Sequence, residues 1–175
     1  LVSTFDPTRI QELIELPYLF DNYSQAYAFM DTPYVAKFYD PLKAKGIHYL
    51  VTWDNGFRHL TNNVRPVNTP ADMKGLKIRV VQSEMSINIL QALGASAVPM
   101  GYAELYQAMQ QKVVDGQENP FMNIYASKFY EVQKFMSLTK HQYSTLPIII
   151  SEMTWQRLDA NQQNAILKAA EEAAP

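Results

Sequence analysis

The sequence has 175 residues, a formal net charge of -2 and no cysteine. A chain of this length can bury one sizeable core or two small lobes that share strands, and its scattered Lys and Arg residues argue against nucleic acid or an anionic membrane surface as a partner. The absence of cysteine excludes thiol catalysis, disulfide bonds and iron–sulfur clusters.

The first third of the chain is predicted to contain helical segments followed by a strand. Residues 8–45 have helical patterning, with Ser24 as an N-cap and a break at Pro33. The β-branched and aromatic residues at 48–52 predict a strand, and Asp-Asn-Gly at 54–56 predicts a turn after it.

The middle of the chain alternates between strands and helices. The predicted elements are a strand at 77–81, a helix capped near Ser83, a strand at 97–99, a helix at about 102–112 and an extended segment at 114–118. This alternation predicts a parallel sheet joined by right-handed crossovers, and ligands of such sheets bind beyond the carboxyl ends of the strands.

The last part of the chain is predicted to add two strands, at 135–141 and 146–151, and a helix that begins at a capping box near Asp159. The longest strongly apolar run, 146–150, is too short to span a bilayer, so we expect no direct membrane insertion. The sequence has no signal peptide or initiator Met and stops inside a predicted helix, and we interpret it as an internal segment of a longer protein, truncated at both ends.

Two arginines are candidates for binding a carboxylate. Arg79 lies at the end of a predicted strand that runs directly into a helix. A guanidinium there can donate two parallel hydrogen bonds to a carboxylate, and the helix N-terminus adds positive potential. Arg58 follows a glycine-bearing turn. For both arginines, an ion pair within the protein is the alternative role.

Two further side chains are candidates for the same cleft. Asn119 lies where a predicted strand meets a helix that begins at Pro120, so its amide can donate to a ligand oxygen or cap the helix. Tyr102, predicted at a helix start, can form the wall of a cleft and offer its hydroxyl, or it can be a packing residue.

The motifs of other chemistries are missing. The three histidines are widely separated without a metal-binding spacing, and the sequence contains no GxSxG, GxxxxGK[ST] or GxGxxG motif. Asp115 and Glu118 are close in sequence, but strand alternation predicts that they point to opposite faces. We therefore predict no catalytic residue, no metal and no cofactor.

Several segments carry a family resemblance. In order and spacing, GLKIRV, ALGASAVPMGYAELYQAMQ, VVDGQENP and KFYEVQKFMSLTKH resemble the central region of the DctP-type solute-binding proteins of TRAP (tripartite ATP-independent periplasmic) transporters. The upstream segments GFRHLTNN and ADMKGLK resemble the same family, so the resemblance covers the chain from about Pro17 to its end.

The resemblance implies a two-lobed α/β periplasmic binding protein with mixed, mainly parallel sheets. It assigns residues 1–56 to part of lobe one and a crossing strand, 57–144 to lobe two, which anchors the carboxylate, and 145–175 to a return strand and helix toward lobe one. Such a protein captures a dicarboxylate, monocarboxylate or sugar acid between its lobes in the periplasm and delivers it to the membrane subunits of a TRAP transporter.

The resemblance also implies roles for the four candidate residues. Arg79 pairs bidentately with the ligand carboxylate, Arg58 is a second cationic contact and Asn119 donates to the same carboxylate. Tyr102 lines the cleft, and its hydroxyl, where many members have Phe, favours a more polar acid. The alternative function is a small α/β enzyme that acts on a carboxylate substrate with Arg79 as the anchor.

Overall fold

The structure, a computed structural model, describes residues 10–174, so residues 8 and 9 of the predicted helical region lie outside the described residues. The helices are α1 (Ile10–Ile14), α2 (Tyr23–Met30), α3 (Pro33–Tyr39), α4 (Glu84–Ala92), α5 (Leu105–Gln110), α6 (Phe121–Ala126), α7 (Glu152–Trp155) and α8 (Ala160–Glu172). The strands are β1 (Ile47–Asn62), β2 (Lys77–Val80), β3 (Ser96–Pro99), β4 (Gly116–Asn119) and β5 (Phe135–Ser151). Short 3-10 helices lie at Asp40–Lys45, Pro70–Met73 and Phe129–Glu131.

The chain forms two compact units. One unit is Phe57–Gln142, and the other combines the residues up to Gly56 with those from Tyr143 onward. The boundaries between the units fall inside the two long strands, β1 and β5. The lobe ranges implied by the family resemblance stay a prediction.

The sheet is mixed, with strand order β3-β2-β4-β1-β5. Strand β2 pairs in parallel with both β3 and β4, whereas β4 pairs with β1 in the antiparallel direction. The α/β fold class with a mixed sheet, predicted from the sequence, is therefore confirmed.

Both faces of the sheet are covered in the unit Phe57–Gln142. Because side chains alternate along a strand, Ile78 and Val80 point to the face where α4 packs, in a cluster that includes Leu90. Arg79 points to the opposite face, beside Val98 of β3, which packs against the apolar cluster of α5 and α6. Arg79 is thus a charged residue placed among apolar neighbours at the end of a buried strand.

Helix α5 is shorter than the predicted 102–112 and spans Leu105–Gln110. The chain leaves the helix at Lys112, which adopts a left-handed φ of 60° while its N–H donates to the carbonyl of Met109 at 3.2 Å. Because α5 begins only at Leu105, Tyr102 lies in the loop before the helix and not in its first turn. Helix α4 begins after Ser83, as predicted.

In the other unit, the turn predicted at 54–56 is wrong, because β1 continues through it. The polar side chains find partners beside the strand instead of closing a turn. The Tyr143 hydroxyl donates to Asp54 at 2.6 Å, and Asn55 donates to the Ser144 hydroxyl at 2.8 Å. Gly56 supplies the positive φ, 106°, that this part of the strand requires.

Two further local predictions were wrong, and one was confirmed. Strand β5 is continuous where two strands were predicted, and it tolerates Pro147 because it is an edge strand in the sheet order. Asn22, not Ser24, caps α2 by accepting a hydrogen bond from the N–H of Gln25 at 2.9 Å. The break predicted at Pro33 is confirmed, because α2 ends at Met30 and Pro33 begins α3.

We predict that Gly116→Ala unfolds the protein or destabilises it by about 3 kcal/mol or more, because overpacked positions without room to relax are costly. A Cβ at Gly116 would lie 1.9 Å from the Thr61 carbonyl oxygen and 2.8 Å from the Asn62 Cα, where β4 pairs with β1. Urea unfolding followed by circular dichroism measures the loss.

Gly46→Ala is the matched control. Gly46 has a φ of 76°, but a Cβ there meets no atom within 4 Å among the described residues. This variant therefore carries only the conformational cost of about 1 kcal/mol. Equal stability of the two variants would show that the close approach of the strands at Gly116 is not the constraint.

Candidate functional site

Strand β4 carries polar side chains and yet is fully buried. Gln117 and Glu118 are each 0% exposed and Asn119 is 2% exposed. Gln117 lies opposite Arg79 of β2, and Asn119 lies opposite His59 of β1. The carboxyl ends of the parallel strands β2 and β4 therefore bring Arg79 and Asn119 to the same edge of the sheet.

Arg79 is held by neighbouring groups on one side and unpartnered on the other. Its Nε and Nη2 donate to the carbonyl of Met100 at 3.0 and 2.7 Å, and its Cζ lies 5.7 Å from the centre of the Tyr102 ring. No residue among 10–174 accepts a hydrogen bond from its buried Nη1. Burial lowers the pKa of Arg79, the Glu118 carboxylate opposes this, and the guanidinium stays charged at neutral pH.

The arrangement of Arg79 decides which part of the guanidinium can bind a ligand. Because Nε and Nη2 already share the Met100 carbonyl, the side of the fork that they form is occupied. The end that presents Nη1 together with the second hydrogen of Nη2 has no acceptor among the described residues. This end has the spacing for two parallel hydrogen bonds to one carboxylate.

Arg58 forms an ion pair with Glu118, which is the alternative role that the sequence left open for it. Arg58 Nε donates to Glu118 Oε2, and Nη2 donates to Oε1 at 2.9 Å and to the backbone carbonyl of Glu118 at 2.8 Å. Burial by itself would raise the pKa of Glu118, but the charge and hydrogen bonds of Arg58, together with the nearby His141, lower it to about 2. The pair is therefore a charged and hydrogen-bonded unit at neutral pH.

Two histidines lie beside this pair. His141 Nε2 is 3.4 Å from Glu118 Oε2, and its Nδ1 is 2.8 Å from the Thr139 hydroxyl. His59 Nδ1 accepts a hydrogen bond from the backbone N–H of Lys140 at 3.2 Å. Burial, followed by the nearby His141 and Lys140, lowers the pKa of His59 to about 4, so the His59 ring is neutral at pH 7.

Asn119 is bonded at both ends of its amide. Its Oδ1 accepts from Arg58 Nη2 and from Asn123 Nδ2, each at 3.3 Å, and its Nδ2 donates to Gln117 Oε1. The structure thus joins Asn119 to Arg58 directly. It does not use the Asn119 side chain as a cap of α6, whose N-cap is Pro120.

Tyr102 is 43% exposed and presents its ring, not its hydroxyl, to Arg79. The hydroxyl lies 2.7 Å from the Ser127 hydroxyl and donates to the backbone carbonyl of Asn123 at 3.4 Å. The ring also packs against Phe129, with the ring centres 5.7 Å apart. The polar end of Tyr102 is therefore engaged within the protein.

Sequence reasoning missed the partners of these residues. The sequence patterns compare Glu118 with Asp115 and test the three histidines for a metal-binding spacing, and they assign no role to Gln117. A strand of consecutive Gln, Glu and Asn between predicted helices is a usable signal, because buried polar side chains require partners. Among the described residues, no group of three or more His, Asp or Glu side chains could hold a metal ion.

Comparison with known proteins gives a consistent result. A sequence model of the family described as bacterial extracellular solute-binding protein, family 7, matches residues 3–175. The 2,3-diketo-L-gulonate-binding periplasmic protein YiaO of Escherichia coli is 40% identical over 168 residues, which cover 94% of this chain and 50% of that protein. The chain therefore spans about half the length of the curated relatives it matches.

Solved structures agree with the sequence matches. A TRAP periplasmic solute-binding protein from Polaromonas, bound to D-erythronate, has a TM-score of 0.94 and 36% identity, covering 98% of this chain and 56% of that chain. The sugar acid binding protein DctPAm from Advenella mimigardefordensis, in complex with galactonate, has a TM-score of 0.92 and 37% identity, covering 98% and 55%. In the range 10–174, no helix is long and apolar enough to cross a membrane.

We predict that His59 makes folding stability depend on pH between 6.5 and 4. The folded protein holds the pKa of His59 at about 4, below its ordinary value of 6.5. The contribution of neutral His59 is therefore complete above pH 6.5 and is lost as the pH falls toward 4, because the unfolded chain takes up the proton first. The expected loss is on the order of 1–3 kcal/mol.

Urea unfolding at pH 7.5 and pH 5.0 measures this dependence, and His59→Gln is the comparison. Glutamine can accept the Lys140 N–H without titrating, so the difference between parent and variant isolates His59 from the carboxylates that titrate in the same range. Equal losses of stability in the two proteins would contradict the prediction.

Proposed function

Because the chain belongs to family 7 of the bacterial extracellular solute-binding proteins, we propose that it is part of a periplasmic protein that binds a small organic acid without transforming it. The protein delivers this ligand to the membrane subunits of a TRAP transporter. The similarity to structures of TRAP periplasmic solute-binding proteins supports this partner.

One observation carries the proposal. Arg79 is 2% exposed, is fixed by the Met100 carbonyl and has a buried Nη1 without a partner among the described residues. An unsatisfied buried donor on a charged group costs free energy in the empty protein. A ligand carboxylate recovers this cost, because it supplies both an opposite charge and two acceptor oxygens.

The ligand is proposed to be a sugar acid. The names of the three relatives described above contain 2,3-diketo-L-gulonate, D-erythronate and galactonate, which share a single carboxylate next to carbon atoms that carry oxygen. In this chain the carboxylate binds the free end of Arg79, and the second N–H of Asn119 donates to an oxygen of the same ligand.

The other two predicted residues have supporting roles in this proposal. The Tyr102 ring covers one side of the Arg79 guanidinium and forms an apolar wall. Arg58 is a second cationic contact, and it also holds the Asn119 amide by donating to Oδ1 at 3.3 Å. Its charge is balanced by Glu118, so Arg79 provides most of the attraction for a ligand anion.

We predict that Arg79→Met weakens sugar-acid binding in the intact protein by about 2–5 kcal/mol, because a desolvated charge pair loses one partner. Isothermal titration calorimetry with galactonate, D-erythronate, 2,3-diketo-L-gulonate and succinate measures the affinities. Galactose, which lacks the carboxylate, is expected not to bind the parent protein.

Arg65→Met is the matched control. Arg65 donates to the backbone carbonyls of Asp72 and Lys74, as Arg79 does to that of Met100, but it lies in the loop after β1 and not in β2. This variant is expected to bind within about twofold of the parent, which corresponds to a few tenths of a kcal/mol. Unchanged affinity in Arg79→Met would refute the anchor, and turnover of a bound acid would refute a purely binding function.

A further inference from the structure

The orientation of the Asn119 amide decides what this residue offers a ligand. Carbonyl and NH₂ ends of an amide are nearly the same shape, but only NH₂ can donate a hydrogen bond. A ligand carboxylate needs the NH₂ end, and the carbonyl end would repel it. The partners of Asn119 must therefore select one orientation.

The orientation of the Asn119 amide depends first on two backbone carbonyls that bind Gln133. Gln133 Nε2 donates to the carbonyls of Val132 at 3.1 Å and Asp115 at 3.4 Å. Since these carbonyls can only accept, the Gln133 amide must place its NH₂ on them and turn its Oε1 away. Oε1 then accepts the hydroxyl hydrogen of Thr61 at 2.8 Å.

Thr61 determines which end of the Gln117 amide in β4 must donate. A threonine hydroxyl has one hydrogen, which Thr61 gives to Gln133, so toward Gln117 it can only accept. Gln117 Nε2 donates to the Thr61 hydroxyl at 2.9 Å, and Gln117 Oε1 therefore faces Asn119 and accepts from Asn119 Nδ2. In this series each side chain donates to the next: Asn119 to Gln117, Gln117 to Thr61, and Thr61 to Gln133.

The other end of the Asn119 amide agrees with this direction. Arg58 Nη2, which can only donate, lies 3.3 Å from Asn119 Oδ1. Thr61 is 3% exposed and Gln117 is 0% exposed, so bulk water does not compete for their bonds. The described residues accept one of the two Nδ2 hydrogens of Asn119, and the second has no acceptor among them.

We propose that Thr61 and Gln117 are positioning residues that fix the Asn119 amide with its N–H toward the ligand. The subsite beside Arg79 then selects an acceptor oxygen, such as a carboxylate or the lone pair of a hydroxyl, and rejects a ligand group that can only donate. This inference rests on the proposed function for the identity of the ligand, whereas the orientation itself is a property of the ligand-free protein.

The test compares Thr61→Val with Thr61→Ser in the intact protein. Valine keeps the shape and strand preference of threonine but removes the hydroxyl that accepts a hydrogen bond from Gln117 Nε2. Serine keeps this hydroxyl. With galactonate, D-erythronate and 2,3-diketo-L-gulonate as probes, Thr61→Val is expected to bind about tenfold more weakly than the parent, the equivalent of one hydrogen bond. Thr61→Ser is expected to restore binding to within about twofold.

A spectroscopic measurement separates positioning from a general effect on stability. In ligand-free protein labelled with ¹⁵N-asparagine, the side-chain amide signals of Asn119 are identified by their loss in Asn119→Asp. These signals are expected to shift and to exchange faster with water in Thr61→Val, and to keep the parent positions in Thr61→Ser. Unchanged Asn119 signals in Thr61→Val, or equal loss of affinity in both variants, would overturn the inference.

The outcomes distinguish this inference from the proposed function. If the parent binds an acid and Arg79→Met does not, but Thr61→Val binds like the parent, the positioning role is wrong and the proposed function stands. If the parent binds none of the acids, the proposed function is wrong for these ligands, and the Asn119 signals alone decide the orientation.

Discussion

The constraint on which the site depends is the complete burial of a polar strand. Strand β4 consists of Gly116, Gln117, Glu118 and Asn119, and all four residues are buried. Gly116 admits the backbone of β1, and each of the other three side chains must find hydrogen-bond partners, because unsatisfied polar groups in a protein interior are costly. Arg58 and Thr61 of β1 supply several of these partners, and the others come from β4 itself and from Asn123 of α6.

The charged side chains of the site differ in whether they form an ion pair. Among the described residues, Glu118 forms an ion pair with Arg58 and has His141 at 3.4 Å, whereas Arg79 forms no ion pair. The Met100 carbonyl orients the Arg79 guanidinium without neutralising it. Arg79 is thus a fixed cation at the end of β2 without an ion pair among the described residues, which supports the proposal of an anionic ligand.

Sequence patterns predicted the elements that depend on local chemistry. Helix α4 begins after Ser83, Asp159 forms a capping box with Gln162 at the start of α8, and the middle of the chain alternates between strands and helices as expected. The errors arose where tertiary partners replaced local ones. Asp-Asn-Gly at 54–56 remained in a strand because hydroxyls of Tyr143 and Ser144 satisfy its side chains.

The sequence by itself determined the α/β class and the position of Arg79 at a strand end, because side-chain alternation and helix capping act over a few residues. It also carried the motifs of the family. Only the tertiary structure decided that Arg58 pairs with Glu118 and that Gln117 and Thr61 hold the Asn119 amide. The contacts from Arg58 and Thr61 to β4 join residues about 60 positions apart, and the direction of each bond depends on which buried atoms donate and accept, which no local pattern encodes.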